Sequence, residues 1–195
     1  MLDVADAVFA ERGYHGASMD DIARRVGVTK PMLYNYFGSK QGLYLAGVQR
    51  HGQTLVDRLR AVAPDEDPAQ QLATGMAAFF AFVDERRSGW SVLYNEAANA
   101  GGPFARRVAE LREQIARTVA ALLRGLASSG ELEGSAVGDP DALAYAVVGA
   151  GESLANWWLR QRPRDSRELM VARLMTVVWS GLGQLERGRV WPTSR

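Results

Sequence analysis

Apolar residues along most of this chain recur at three- and four-residue steps, the period of a helix that buries one face. From Lys40 onward, Tyr44, Val48, His51, Leu55, Leu59 and Val62 form one such stripe. Past the polar, proline-bounded segment Ala63-Pro-Asp-Glu-Asp-Pro68, a second runs through Leu72, Met76, Phe79, Phe80 and Val83 and ends near Arg86-Arg87-Ser-Gly89. Trp90, Leu93, Tyr94 and Ala97 mark a short helix closed by Gly101-Gly102-Pro103. A long stripe follows through Phe104, Val108, Leu111, Ile115, Val119, Leu122 and Leu126. Beyond a loop from Ser128 to Pro140, two last helices are expected over about Asp141 to Arg160 and Ser166 to Gly188. No stretch keeps the two-residue alternation of a strand, and no segment repeats. The pattern predicts an all-α chain of about nine helices.

The densest punctuation lies near the N-terminus, over Ser18-Met-Asp-Asp-Ile-Ala-Arg-Arg-Val-Gly-Val-Thr-Lys-Pro-Met-Leu-Tyr-Asn-Tyr-Phe-Gly-Ser-Lys40. Ser18 with Asp21 resembles a capping box, and Ile22, Ala23 and Val26 give the following helix a packing face. Gly27 stands where the chain must leave that helix through positive φ. Thr29 is a second N-cap, and Pro31 suits a first turn, where a missing amide costs nothing. Met32, Leu33, Tyr34, Tyr36 and Phe37 fill a short helix ended by Gly38, after which Ser39 caps a third starting at Lys40. Two short helices joined by a glycine turn are the helix-turn-helix that sets its second helix in a DNA major groove.

The residues Val28-Thr-Lys-Pro-Met-Leu-Tyr-Asn-Tyr-Phe-Gly-Ser-Lys-Gln-Gly-Leu43 resemble the signature of the tetracycline-repressor (TetR-like) family of one-component transcription regulators. The segment from Ala5 to Ser18 is similar to that family's first helix. The resemblance covers about the first fifty residues. It implies a three-helix DNA-binding head over 1–46, with the motif at about 18–37, and a ligand-binding and dimerisation body over 47–195. It further implies a ligand-responsive repressor, released from double-stranded operator DNA by a small-molecule effector, acting as a homodimer and carrying no enzymatic activity.

Composition narrows the alternatives. With no cysteine, the chain has neither disulfides nor thiol chemistry, which suits a reducing cytoplasm. Charges such as Glu152 and Arg173 break every apolar run before it could span a membrane, and Asp3, Asp6 and Glu11 interrupt any secretion signal. Net charge is only +1, and residues 1–50 carry six basic against five acidic side chains, a mild objection to nucleic-acid binding. The only two lysines, Lys30 and Lys40, both fall in the motif, beside Arg24 and Arg25. Asp3, Asp6 and Glu11 are expected on another face. His15 and His51 lack a second ligand at metal spacing, so neither a metal nor a cofactor is expected. An all-helical enzyme would need a nucleophile–base pair, a carboxylate pair or a phosphate loop, and none is present. A protein-interaction module that kept the head but lost DNA affinity is the other alternative.

For DNA, Thr29, Lys30, Pro31 and Met32 open the groove helix, with Lys30 able to donate to guanine O6 and N7. Tyr36 and Lys40 are assigned to phosphate, and Asn35 to a phosphate or a base edge. Tyr34 is equally a contact or core, and Arg24 and Arg25 equally DNA-facing or a solvated face. Leu33 and Phe37 are expected core. The first amides of the preceding helix, at Ser18, Met19 and Asp20, can meet phosphate as well.

For the effector, expected to be largely apolar, the aromatics Phe80, Trp90, Tyr94, Phe104 and Trp157 offer pocket walls, with Glu96 as a polar interruption. His51 is an effector contact or a satisfied core residue. Gly42, Gly47 and Gly52 either soften the helix from Lys40 or permit close packing. The last two helices are apolar on more than one face, which calls for burial on both sides. Pairing with a second copy through a two-fold four-helix bundle answers this, using Tyr145, Gly149 and Ala150 with Leu174, Val178 and Leu182. Glu152, one turn from Asn156, is then either an acid that orients ligand or half of a salt bridge across the dimer.

Overall fold

The computed structural model describes residues 1–63, 67–96, 102–127, 139–161 and 163–186, without the side chains at 68, 95, 96, 102–104, 125–127 and 182–186. The side chains of Glu96, Phe104 and Leu182, and the loop after Ser128, therefore lie outside the described residues. Among those described there are nine α-helices and no strand. In order they are α1 (Leu2–Gly16), α2 (Met19–Val26), α3 (Lys30–Phe37), α4 (Lys40–Arg60), α5 (Pro68–Glu85), α6 (Arg87–Ser91), α7 (Gly102–Ala127), α8 (Pro140–Arg160) and α9 (Arg167–Glu186). The short central helix starts at Arg87, three residues before the expected Trp90, and continues as a π-helical turn over Val92–Glu96.

The chain divides into two compact units, one of Met1–Leu55 with Glu85–Glu113 and one of Val56–Asp84 with Gln114–Arg195. The boundary falls inside α4. In the first unit, Val8 and Phe9 of α1, Ile22 of α2, Leu33 of α3 and Leu43, Tyr44 and Val48 of α4 are all buried. Each such apolar side chain contributes about 1.5–3 kcal/mol when fully removed from water. The Tyr44 hydroxyl, carried into this core, donates to the Val92 carbonyl at 2.6 Å, so the phenol is not left unsatisfied.

The glycines of α4 serve contact. A Cβ on Gly42 would strike the Phe37 carbonyl, one on Gly47 the Asp6 carboxylate, and one on Gly52 the Leu111 side chain. Of the two readings of these positions, close packing is the one the structure realises.

In the second unit, Phe80 and Trp158 meet edge to face with centroids 5.9 Å apart, and the Trp158 indole N–H donates to the Asp165 carbonyl at 2.8 Å. Asp139 caps α8 by accepting from the Asp141 amide at 3.0 Å, and Arg124 holds Asp141 at 2.6 Å. On α9 the inward stripe is Met170 and Leu174, whereas Val177 is 70% exposed. Leu174, expected at a dimer contact, is only 5% exposed in the single chain and packs near Gly151, so it belongs to this unit's own core.

Candidate nucleic-acid interface

The motif forms as its punctuation predicts. The Ser18 hydroxyl accepts from the Asp21 amide at 3.1 Å, so α2 starts on a true side-chain cap. The Asp21 carboxylate does not complete a capping box; it turns to Arg12 and to Arg24, the latter at 2.6 Å. Gly27 closes α2 with φ 80°, a left-handed conformation that a Cβ would strain, and its amide returns to the Ala23 carbonyl. Thr29 then occupies the N-cap of α3 through its backbone alone, without a side-chain hydrogen bond. At the start of α4, Ser39 accepts from the Gly42 amide at 2.9 Å.

This turn leaves α3 with one buried anchor, Leu33, and the rest of its surface in solvent. Tyr36 is 68% exposed and Tyr34 42%, with Lys30, Pro31, Met32 and Asn35 also exposed. Phe37, expected as core, is half-buried. Of the three α2 residues proposed for phosphate, Met19 has its side chain in the core and offers only its amide, while Asp20 is exposed. Lys30 forms an ion pair with Asp20 at 2.7 Å. Lys40 donates to the His15 carbonyl at 3.3 Å and lies 4.7 Å from the centre of the Tyr14 ring, so it closes the end of α1 as well as flanking α3.

The segment that holds the turn and a second one beyond it both match known sequence profiles. Residues 1–46 match "Bacterial regulatory proteins, tetR family", and residues 68–181 match "Tetracyclin repressor-like, C-terminal domain". The chain belongs to the TetR family. The HTH-type transcriptional activator FasR of Mycolicibacterium smegmatis is 33% identical over 187 residues, spanning 95% of this chain and 82% of that protein. A TetR-like transcriptional regulator from Rhodococcus sp. RHA1 superposes with a TM-score of 0.75 at 34% identity, covering 93% of each chain. FadR from Bacillus subtilis, solved in complex with stearoyl-CoA, shares the fold with a TM-score of 0.80 at 18% identity, covering 92% of this chain and 96% of that one. This TetR-family protein is thus a helix-turn-helix transcription regulator, and not an enzyme.

Behind the TetR-family motif, α1 and α4 are tied by charges that the sequence pattern did not pair. Asp3 lies outward as expected, but Glu11 pairs with Arg25 at 2.9 Å and so does not stand on a face apart from the motif's cations. Asp6 is 2% exposed, which corrects its assignment to an outer face. Its carboxylate accepts from Arg50 at 2.6 Å and meets His51 Nε2 at 2.7 Å. Arg50 also reaches Asp3 at 2.7 Å, and that hydrogen bond holds the Asp3 carboxyl below its ordinary pKa. His51 is thus a buried residue whose Nε2 has a partner in Asp6 while its Nδ1, also buried, has none among the described residues, so it is only half satisfied. Its ring is enclosed by Asp6 and by Gly89, where a Cβ would collide with it.

The residues considered for the effector do not all share a unit. Phe80 belongs to the second, buried against Phe79 and Trp158, whereas Trp90 and Tyr94 belong to the first and stack 5.1 Å apart. On α8, Tyr145 is exposed, Gly149 and Ala150 are partly covered, and Glu152 and Asn156 are half-buried. Trp157 is exposed, with the Arg173 guanidinium 5.6 Å from its ring centre. Within the first unit, Leu45, Gln49, Arg106, Arg107 and Glu110 line an open groove of about 300 Å³, which the sequence pattern had not marked. Its only signal was the Arg106-Arg107 pair at the head of the α7 stripe. Among the described residues no group of acids, histidines or cysteines could hold a metal ion, and no helix is long and apolar enough to cross a membrane.

Proposed function

We propose that the exposed face of α3 reads a double-stranded operator, and that a small-molecule effector removes the protein from it. Residues 1–46 serve as the DNA-binding head and 47–195 as the ligand-binding and dimerisation body, in the cytoplasm. The observation that carries the reading is the exposure of α3. Two tyrosines and an asparagine stand in solvent on a helix held by a single buried leucine, which makes sense for a surface that docks elsewhere. Lys30 is assigned to a base edge, Tyr36 and Lys40 to phosphates, and Asn35 to either. Two copies joined through α8 and α9 would present two such helices to half-sites about one helical turn, or a multiple, apart.

For the effector, the stearoyl-CoA bound to the FadR relative supports an acyl thioester of coenzyme A. The apolar part suits Trp90 and Tyr94, which stack in the first unit. In the groove, Arg106 offers a guanidinium to the anionic part, and Arg107, paired with Glu110 at 2.8 Å, would exchange that carboxylate for it. Effector binding that changes the spacing of the two α3 helices would weaken their joint fit to the operator, and transcription then rises as the site is vacated. A second reading has support from the FasR relative, which is an activator. The two signs separate by where the operator lies.

The test begins with selection of operator duplexes from a random library, followed by footprinting on the flanking promoter. Repression requires a footprint over the polymerase site and a reporter that rises on deleting the regulator. A footprint upstream and a reporter that falls would establish the activator reading. Lys30→Ala should lower operator affinity by on the order of tenfold per half-site. Stearoyl-CoA should dissociate the complex; failure of every acyl-CoA chain length to do so would sink the effector class.

A further inference from the structure

Lys40 differs from the other cations of the DNA-binding head in what holds it. Residues 1–50 carry six basic side chains, and five of them have a carboxylate partner. Arg12 and Arg24 meet Asp21, Arg25 meets Glu11, Lys30 meets Asp20, and Arg50 meets Asp3 and Asp6. Lys40 is held by neutral groups instead. Its ammonium donates to the His15 carbonyl at 3.3 Å and lies 4.7 Å from the centre of the Tyr14 ring. An aromatic face attracts a cation through its quadrupole and a carbonyl through its dipole, so neither cancels the charge.

The backbone brings both groups to the ammonium. At Gly13 the chain leaves helical geometry with φ 71° and ψ 167°, a region open essentially to glycine. It then closes one more turn, with the Ala17 amide on the Gly13 carbonyl, and Tyr14 and His15 lie within that turn. The Tyr14 ring is fixed in its place by Phe9 and Tyr44, whose ring centres are 6.1 and 5.2 Å away. Both of those side chains are buried in the core of the head, so the ring beside Lys40 has a rigid support.

We infer that Tyr14 is a positioning residue for DNA binding, its ring holding the Lys40 ammonium where a phosphate will meet it. A lysine on its flexible four-carbon stem must otherwise be immobilised on contact, at a cost in entropy. Here the ring and the carbonyl immobilise it before DNA arrives. Neither contact has to be given up for a phosphate, because an ammonium has three donors and neither holder competes for the anion. The advantage therefore persists in the complex. It applies to every sequence alike, since a phosphate carries no base identity. This inference rests on the assignment of Lys40 to phosphate proposed above.

The test compares wild type, Tyr14→Phe, Tyr14→Leu, Lys40→Ala and the variant combining Tyr14→Leu with Lys40→Ala, by fluorescence anisotropy across a salt series. The probes are a random-sequence duplex and an operator duplex selected with the wild-type protein. Tyr14→Leu should weaken binding to both duplexes equally, by about threefold to tenfold per half-site. Tyr14→Phe, which keeps the ring, should bind both within about twofold of wild type. In the Lys40→Ala background, Tyr14→Leu should change affinity by less than about twofold. No loss in Tyr14→Leu, a loss that persists without Lys40, or an equal loss in Tyr14→Phe would overturn the inference while leaving the phosphate assignment intact. Should Tyr14→Leu fail to fold by circular dichroism, pentafluorophenylalanine at position 14 takes its place under the same outcomes, because it keeps the ring but reverses the polarity of its face. A Lys40→Ala protein with the operator affinity and salt slope of wild type would overturn the phosphate assignment itself, and the role of Tyr14 with it.

Discussion

His51 Nε2 lies 2.7 Å from Asp6 Oδ2, and both side chains are almost wholly out of water. The contact joins the first helix of the DNA-binding head to α4, which also runs into the second unit. A carboxylate in such surroundings is stable only while its partners remain, so the pair makes the seating of α1 on α4 all-or-none. Removing the acid leaves His51 without its carboxylate and Arg50 with only the exposed Asp3. Asp6→Ala should lower the free energy of unfolding by about 3 kcal/mol, read by urea melts. Asp3→Ala, which removes an exposed partner of the same arginine, should cost less than about 1 kcal/mol. Similar losses for the two acids would show that the buried contact has no special weight.

Gly89 shapes the other side of that histidine. A side chain there would collide with an imidazole that Asp6 prevents from moving away. Gly89→Ala should therefore destabilise by about 1–3 kcal/mol. Much of this loss should vanish in a His51→Ala background, where the collision is gone, and the two effects should be markedly non-additive. Thermal melts of the three variants decide the matter, and strict additivity would refute the clash.

Lys40 has a structural contact as well as its proposed phosphate. Lys40→Ala should weaken binding to all DNA sequences similarly and lower the salt slope by about one unit per half-site. Because its ammonium also meets the His15 carbonyl and the Tyr14 ring, the variant should lose up to about 1 kcal/mol of stability. An unchanged salt slope in a less stable protein would assign Lys40 to the fold alone.

Val177 and Tyr145 leave apolar surface uncovered on the last two helices of the single chain. A second copy would cover it, so the protein should run as a dimer in sizing with light scattering. Ala150→Arg, which sets a charge among the small residues of α8, should give monomers or aggregates. A monomeric wild type would eliminate the two-fold bundle.

Glu152 is half-buried on the same helix as Ala150 and one turn from Asn156. Glu152→Gln should reduce dimer stability if the acid pairs across the interface, with effector affinity kept in the dimers that remain. If it orients the ligand instead, effector affinity should change while effector-free operator binding does not. Concentration-dependent melts and acyl-CoA titrations on this one variant separate the two roles.

Much of this fold was readable before any coordinates, and the readable parts share one cause. Ser18 caps α2, Gly27 leaves it at φ 80° and Ser39 caps α4, each through a bond or backbone angle confined to a few neighbouring residues. Helix period, caps and turns are local, so the sequence by itself determined the helix-turn-helix and the nine helices found among the described residues. The tertiary structure decided what local spacing cannot encode. Asp6 and His51 are far apart in the chain, so an N-terminal acid looked like one more solvated charge until α1 and α4 packed. Met19 opens a helix, yet its side chain is in the core. Along α9, apolar residues occupy more than one face, so their spacing alone does not fix which side turns inward. Only packing settled that Met170 and Leu174 turn inward while Val177 is left to solvent.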